Sequence, residues 1–190
     1  MKELSLHILD LAQNSIRANA NLVRIEIRED FEKDRFELVI EDNGDGMDKE
    51  LLSRVTDPFI TTRKTRKVGL GLSLMKAAAL RCEGDLKINS QKGVGTKIQC
   101  YFKHSHIDRA PLGDIGETIM ILMNNEKDID IEYVHYVNDE VFKFTTKEVK
   151  KVLGDDDIRT AEVLLWIKDY VNEKIGYLHK NIEKNNSVIL

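Results

Sequence analysis

Two glycine clusters and one polar helix face are the places where this 190-residue sequence could do chemistry. In VGLGLSLMKAAAL, residues 68 to 80, Gly69 and Gly71 run directly into Leu72 and an apolar, helix-favouring segment. Consecutive backbone N–H groups at such a helix start suit an anion such as phosphate, and a glycine there equally lets a helix end lie close to a neighbouring strand. These thirteen residues leave both readings open. In IEDNGDGMD, Gly44 and Gly46 follow a strand end that carries the carboxylate of Asp42. Near the N-terminus, Leu4, Ile8, Leu9, Leu11, Ala12, Ser15 and Ile16 gather on one side of a helical wheel. Asp10, Gln13, Asn14 and Arg17 gather on the other.

The acids and glycines of DNGDG invite a calcium-loop reading, which fails on register. With Gly46 at the turning position the ligands are Glu41, Asn43 and Asp45, and the closing bidentate acid falls on Leu52. A dinucleotide fingerprint fails too, because GLGLSL lacks the third glycine and no βαβ unit surrounds it. There is no Walker A sequence.

The elements that must position these residues follow from periodicity. A helix is expected over Leu4 to Asn19. Val23, Ile25, Ile27 and Phe36, Leu38, Ile40 give two strands joined by the charged turn EDFEKDR. A short helix from Lys49 to Val55, a polar loop from Asp57 to Lys67 and a helix from Leu70 to Arg81 come next. Strands through Leu86 and Ile88 and through Ile98, Cys100 and Phe102 flank the turn SQKGVGT. The stretch KHSHIDRAPLGDIG reads as a linker. Beyond it come a helix in ETIMILMNN, a hairpin turning at Asn138-Asp139, and two helices, the last from about Arg159 to His179.

A polar helix face with Asp10, Asn14 and Arg17, a strand-end DNGDG, a polar loop leading into GLGL, and a GVGT turn before a strand stand in one order. That order resembles the GHKL ATPase superfamily, which includes the gyrase and mismatch-repair ATPases, the heat-shock chaperone and the catalytic domains of histidine kinases. The resemblance covers about residues 4 to 103. In texture it is nearest to histidine kinases and anti-sigma-factor kinases, through DPFITTRKTRKVGLGLSLM and GVGTKIQCYF. It implies an α+β chain with a two-layer α/β sandwich of the Bergerat type over residues 1–103. A linker over 104–116 and a small C-terminal α+β unit over 117–190 are expected to follow.

What the resemblance implies for the site can be stated residue by residue. Asn14 matches the asparagine whose side-chain oxygen completes the coordination of a Mg²⁺ held by the phosphates of ATP. Arg17, one turn on, reaches a phosphate. Asp42 matches the carboxylate that accepts the adenine amino group, Gly44 and Gly46 let the backbone approach the base, and Thr96 shares the adenine contact through water. Gly69, Leu70, Gly71 and Leu72 supply backbone N–H groups to the phosphates, and Thr62 and Lys64 belong to a lid over them. Two departures bear on turnover. Lys67 stands where the kinases often have the first glycine of GTGLGL. Asp10 stands where ATP-hydrolysing relatives carry a glutamate general base, and an aspartate is one methylene shorter.

The expected function is a stand-alone, cytoplasmic Mg·ATP-binding regulatory protein kinase acting on a separate protein partner that carries the phosphoacceptor. An ATP-gated, anti-sigma-like binding module without turnover and a slow ATPase are the alternatives. Self-phosphorylation is not expected, because no His-Glu phosphoacceptor helix precedes the Asn14 helix. The formal net charge of −4 argues against a general nucleic-acid binder. No stretch approaches the length of a membrane span, and MKELSLHILD lacks the features of a signal peptide. Cys82 and Cys100 have no CxxC context and are expected as buried thiols. His7, His104, His106, His135 and His179 show no ligand spacing, and no site role is expected of them.

Overall fold

A computed structural model describes residues 2–55, 71–154 and 157–187. The helix α1 spans Leu4–Arg17, and the strands β1 (Leu22–Asp30) and β2 (Arg35–Asp42) form an antiparallel hairpin. The short α2 (Lys49–Arg54) follows, then α3 (Gly71–Arg81) and the hairpin of β3 (Asp85–Gln91) and β4 (Gly95–Lys103). The chain continues through α4 (Ile115–Met123), the hairpin β5 (Asp130–Val137) and β6 (Glu140–Thr145), α5 (Thr146–Leu153) and the long α6 (Ala161–Ser187).

The six strands form one sheet in the order β3-β4-β2-β1-β5-β6, antiparallel except for the parallel pair β1 and β5. Strand period two puts Val23, Ile25, Ile27, Phe36, Leu38, Ile40, Ile98, Cys100, Phe102, Ile131 and Tyr133 on one face, where all are buried. α1 and α3 pack on the β1 to β4 side of this face and α6 on β5 and β6, while α4 lies between α1 and α6. The opposite face carries charge and aromatic rings, with the Arg28 guanidinium 4.0 Å from the Tyr136 ring centre and that of Arg35 4.1 Å from Tyr101. This is the two-layer α/β sandwich that the resemblance implied.

Three local results refine the sequence reading. β1 runs to Asp30, so Glu29 occupies an inward strand position and not the turn. The elements on either side of residues 104–116 share one sheet and one continuous hydrophobic core. Residues 111 and 112 also do specific work. Among the described residues α1 has no side-chain N-cap, and the first two N–H groups of the helix, at Leu4 and Ser5, donate to the carbonyls of Pro111 (2.9 Å) and Leu112 (2.7 Å). Cys82 and Cys100 are free and buried, and burial, aided by nearby Asp85, pushes the Cys100 thiol up to about 12.

Candidate functional site

The polar side of α1 meets the first turn of α3. A Cβ built on Gly71 would lie 2.1 Å from Asp10 Oδ2 and 3.8 Å from Asn14 Nδ2, so glycine here leaves the Asp10 carboxylate its place against the helix start, and a larger residue would have to displace it. The start of α3 therefore sits against Asp10 and Asn14, where its partial positive end faces a carboxylate. Arg17 Nη1 donates to Asn14 Oδ1 at 2.7 Å and Nη2 donates to Gln13 Oε1 at 3.3 Å, which fixes the direction of the Asn14 side-chain oxygen. His7, one turn before Asp10, is buried with no partner for Nδ1 among the described residues. Desolvation holds its pKa below the ordinary value, so this side chain is neutral.

The buried side of α1 reaches the end of β2. Ser15 Oγ donates to Asp42 Oδ2 at 2.5 Å, and the Gly44 amide donates to Asp42 Oδ1 at 2.9 Å. Both carboxylate oxygens are thereby oriented, and each keeps acceptor capacity for a ligand. The DNGDG turn is held from three sides. The Asp45 amide donates to the Ala18 carbonyl at the end of α1 (2.6 Å), and the Gly93 amide donates to the Asp45 carbonyl (2.7 Å). Asn43 Oδ1 accepts from the amides of Asn21 and Leu22 at 3.1 and 3.0 Å. Gly46, at φ +63°, lies where a Cβ would meet the Gln91 carbonyl oxygen at 2.0 Å, so both backbone angle and space require glycine. Thr96 is the register partner of Asp42 on the same sheet face, and its Oγ1 lies 2.9 Å from Ser90 Oγ.

Of the residues expected at the site, Asp10, Asn14, Arg17 and Gly71 meet at the α1–α3 corner, and Leu72 lies in the same first turn of α3. Asp42, Gly44, Gly46 and Thr96 meet at the strand ends. Ser15 joins the two groups, being adjacent to Asn14 in α1 and bonded to Asp42. Thr62, Lys64, Gly69 and Leu70 lie outside the described residues. Ser15 and Ser90 were not expected. The sequence counted Ser15 with the apolar side of α1, and a hydroxyl in phase with core positions was the available signal. A shallow cavity of about 510 Å³ also opens at these strand ends, with Asp42 and Thr96 among its lining. Its other walls include Arg24, Glu41 and Glu132 from the opposite sheet face, so it is not the space between α1 and α3.

Residues 2–106, more than half of the chain, match the family described as histidine kinase-, DNA gyrase B-, and HSP90-like ATPase. Over 66 residues the chain is 44% identical to a sensor protein of Shewanella frigidimarina, covering 34% of this chain and 10% of that protein. Over 95 residues it is 35% identical to the signal transduction histidine-protein kinase AtoS of Escherichia coli, covering 50% of this chain and 15% of that protein. The chain thus spans a small part of either relative. Among solved structures, the N-terminal domain of a DNA repair protein superposes with a TM-score of 0.55 at 16% identity, over 84% of this chain and 59% of that one. That likeness is one of fold. Its coverage exceeds the family-matched segment, so it extends into the elements after residue 106.

Proposed function

Since this chain belongs to the histidine kinase-, DNA gyrase B-, and HSP90-like ATPase family, we propose that it binds Mg·ATP between α1, α3 and the ends of β2 and β4, and uses it as a regulatory protein kinase on a separate protein. The observation that carries the reading is the joining of two half-sites through α1. Asp10 and Asn14 meet Gly71 at the phosphate end, while Ser15 orients Asp42 at the base end. In this reading Asp42 accepts the adenine amino group, Thr96 shares that contact, and Gly44 and Gly46 admit the base. Asn14 Oδ1 is the protein ligand to Mg²⁺, an ion that neutralises phosphate charge when bound. Arg17 and the N–H groups of Gly69 to Leu72, with Thr62 and Lys64, hold the phosphates. In-line positioning and charge neutralisation are most of what phosphoryl transfer asks of a protein, so a partner that brings the acceptor completes the site.

Thermal melts test the binding step directly. Ligand at a hundredfold excess over Kd stabilises by about 2.7 kcal/mol, and in a chain of this size each kcal/mol moves Tm by about 2–4 °C. ATP with Mg²⁺ is therefore expected to raise Tm by roughly 5–10 °C, with a much smaller shift for GTP. Asp42→Asn replaces an acceptor by a mixed donor and acceptor at the adenine amino group and is expected to weaken ATP by roughly 10- to 100-fold. Equal shifts for ATP and GTP, or an unchanged Asp42→Asn, would remove the adenine assignment.

Asp10 favours a second reading, ATP-gated binding of a partner without turnover. Its short carboxylate packs on the backbone of Gly71, and a shorter base holds an attacking water farther from phosphorus. Labelled γ-phosphate separates the possibilities. Label on a partner protein supports the kinase, and free phosphate lost in Asp10→Ala with ATP still bound supports a slow ATPase. ATP-dependent partner affinity that survives Asp10→Asn, with label in neither place, supports the gated module.

A further inference from the structure

Three of the five histidines, which lack ligand spacing in the sequence, are brought by the fold onto one buried carboxylate. Glu29 stands in phase with Val23, Ile25 and Ile27 on the inward face of β1 and is 6% exposed. His135 Nε2 and His179 Nε2 lie 2.9 and 2.8 Å from Glu29 Oε1, and His104 Nε2 lies 2.8 Å from Oε2. The donor atoms of Glu29, His135 and His179 all fall within 4.8 Å of one another. His135 is fully buried, and its other ring nitrogen, Nδ1, lies 2.8 Å from the hydroxyl of Tyr133, itself fully buried. In the strand register Val23 pairs with Asp42 and Glu29 with Phe36. At about 3.3 Å per residue, this cluster is roughly 20 Å from the Asp42 site.

We propose that Glu29, His135 and His179 form a binding site for a divalent first-row transition metal ion, with zinc the first choice. Two imidazoles and one carboxylate are a ligand set such ions take, and a tetrahedral site with metal–ligand bonds near 2.0–2.1 Å spaces its ligand atoms on the order of 3.3 Å apart. The two imidazole nitrogens lie 2.9 and 2.8 Å from Glu29 Oε1 and need to open from it by about half an ångström to reach that spacing, and all three donor atoms lie within 4.8 Å of one another. Two surrounding groups suit a metal. A metal on His135 Nε2 leaves the ring proton on Nδ1, where the Tyr133 oxygen accepts it, and such a partner fixes the tautomer of a ligating histidine. His104 donates to Oε2 and so turns Oε1, the oxygen shared by the other two histidines, toward the ion. His179, with its side chain 37% exposed, opens the site to solvent and gives the ion a way in. The ligands come from β1, β5 and α6, so the ion would pin the last helix to the centre of the sheet.

The test uses the full chain without a polyhistidine tag, titrated with Co²⁺ as a spectroscopic probe and then with Zn²⁺. The expected result is about one Co²⁺ per chain with the intense visible bands of a four- or five-coordinate site, displaced by about one equivalent of Zn²⁺. His179→Gln, at the rim, is expected to weaken Co²⁺ by at least about tenfold, while His106→Ala binds as the parent does. Should the parent keep no ion through desalting, or show only the faint spectrum of hydrated cobalt, the cluster is a hydrogen-bonded clamp on Glu29 and the proposal fails. It fails equally if folded His179→Gln matches the parent. If that variant does not fold, the stoichiometry and spectrum of the parent decide alone.

Discussion

Single side chains in this molecule are understood by what their neighbours allow them to do. Ser15 donates to Asp42 from within a helix, and its removal leaves one carboxylate oxygen to find another donor. A neutral hydrogen bond to a charged acceptor is worth about 1.5–3 kcal/mol, part of which water restores at a half-buried site. Ser15→Ala is therefore expected to lower ATP affinity by roughly 3- to 30-fold with little change in melting temperature of the free protein, read by titration calorimetry and melts together. Burial raises the thiol pKa of both cysteines. Burial holds the Cys100 thiol near 12, so almost none is thiolate at neutral pH. A thiol reagent at pH 7.5 is expected to leave Cys100 unmodified in the native chain and to label it only in denaturant. Rapid native labelling would show that the β4 side of the core opens. At this scale the sequence was partly legible. Asp10, Asn14 and Asp42 stand out by type and position, whereas Ser15 hides among apolar neighbours. The Glu29 cluster was not legible, because its four members lie up to 150 positions apart and no local spacing joins them.

Elements are positioned here by close backbone contacts and by caps. Adding a methyl at position 71 gains up to about 1 kcal/mol of helix propensity, but the new Cβ would occupy the place of Asp10 Oδ2 at 2.1 Å. The carboxylate is the movable partner, so Gly71→Ala is expected to leave the melting temperature nearly unchanged while displacing Asp10. ATP turnover or transfer should then fall further than ATP binding does, a split that activity and calorimetry resolve. Asp114 shows the second device. It caps α4 by accepting from the Glu117 amide (2.7 Å), and it accepts from Asn172 Nδ2 (2.7 Å) with Lys168 Nζ at 3.5 Å, both on α6. Burial alone would raise its pKa. The Glu117 amide, Asn172 and Lys168 outweigh that and hold it below the ordinary carboxylate range. A carboxylate depressed in the folded state contributes stability above its unfolded pKa of about 3.9, and this is lost as pH falls through the lower folded value. Asp114→Ala is expected to cost about 1–2 kcal/mol at pH 7, and the difference from the parent should shrink in melts below about pH 4. The strands were legible because period two was unbroken. The end of β1 was not, since Glu29 and Asp30 have the composition of a turn and the sheet overrides it.

At the scale of the whole molecule, the family-matched segment ends at residue 106, but the physical unit does not. β1 would become an edge strand without β5, with its register partners from Asp130 to Val137 removed. Leu4 and Ser5 would lose the carbonyls of Pro111 and Leu112 that cap α1, and the Ser5 carbonyl would lose the Thr118 hydroxyl at 3.3 Å. Ile115, Ile119, Leu122, Tyr133, Ile167 and Val171, each at most 1% exposed, belong to the same core as Ile8 and Ile27. Burial of one such side chain contributes about 1.5–3 kcal/mol, whereas the net stability of a domain is about 5–15 kcal/mol. Loss of the six together, about 9–18 kcal/mol, is therefore comparable to the whole of that margin. The sequence marks the break in texture after Phe102, and composition alone cannot show that strands on both sides pair. The full chain is expected to unfold in urea as one transition, with circular dichroism and tryptophan fluorescence coincident, since Trp166 lies on α6. A fragment of residues 1–106 is expected to lack a cooperative transition and to bind an apolar dye. Two separate transitions in the full chain, or a fragment that melts sharply and still shifts with ATP, would show that residues 117–190 are an independent unit on a self-sufficient ATPase domain.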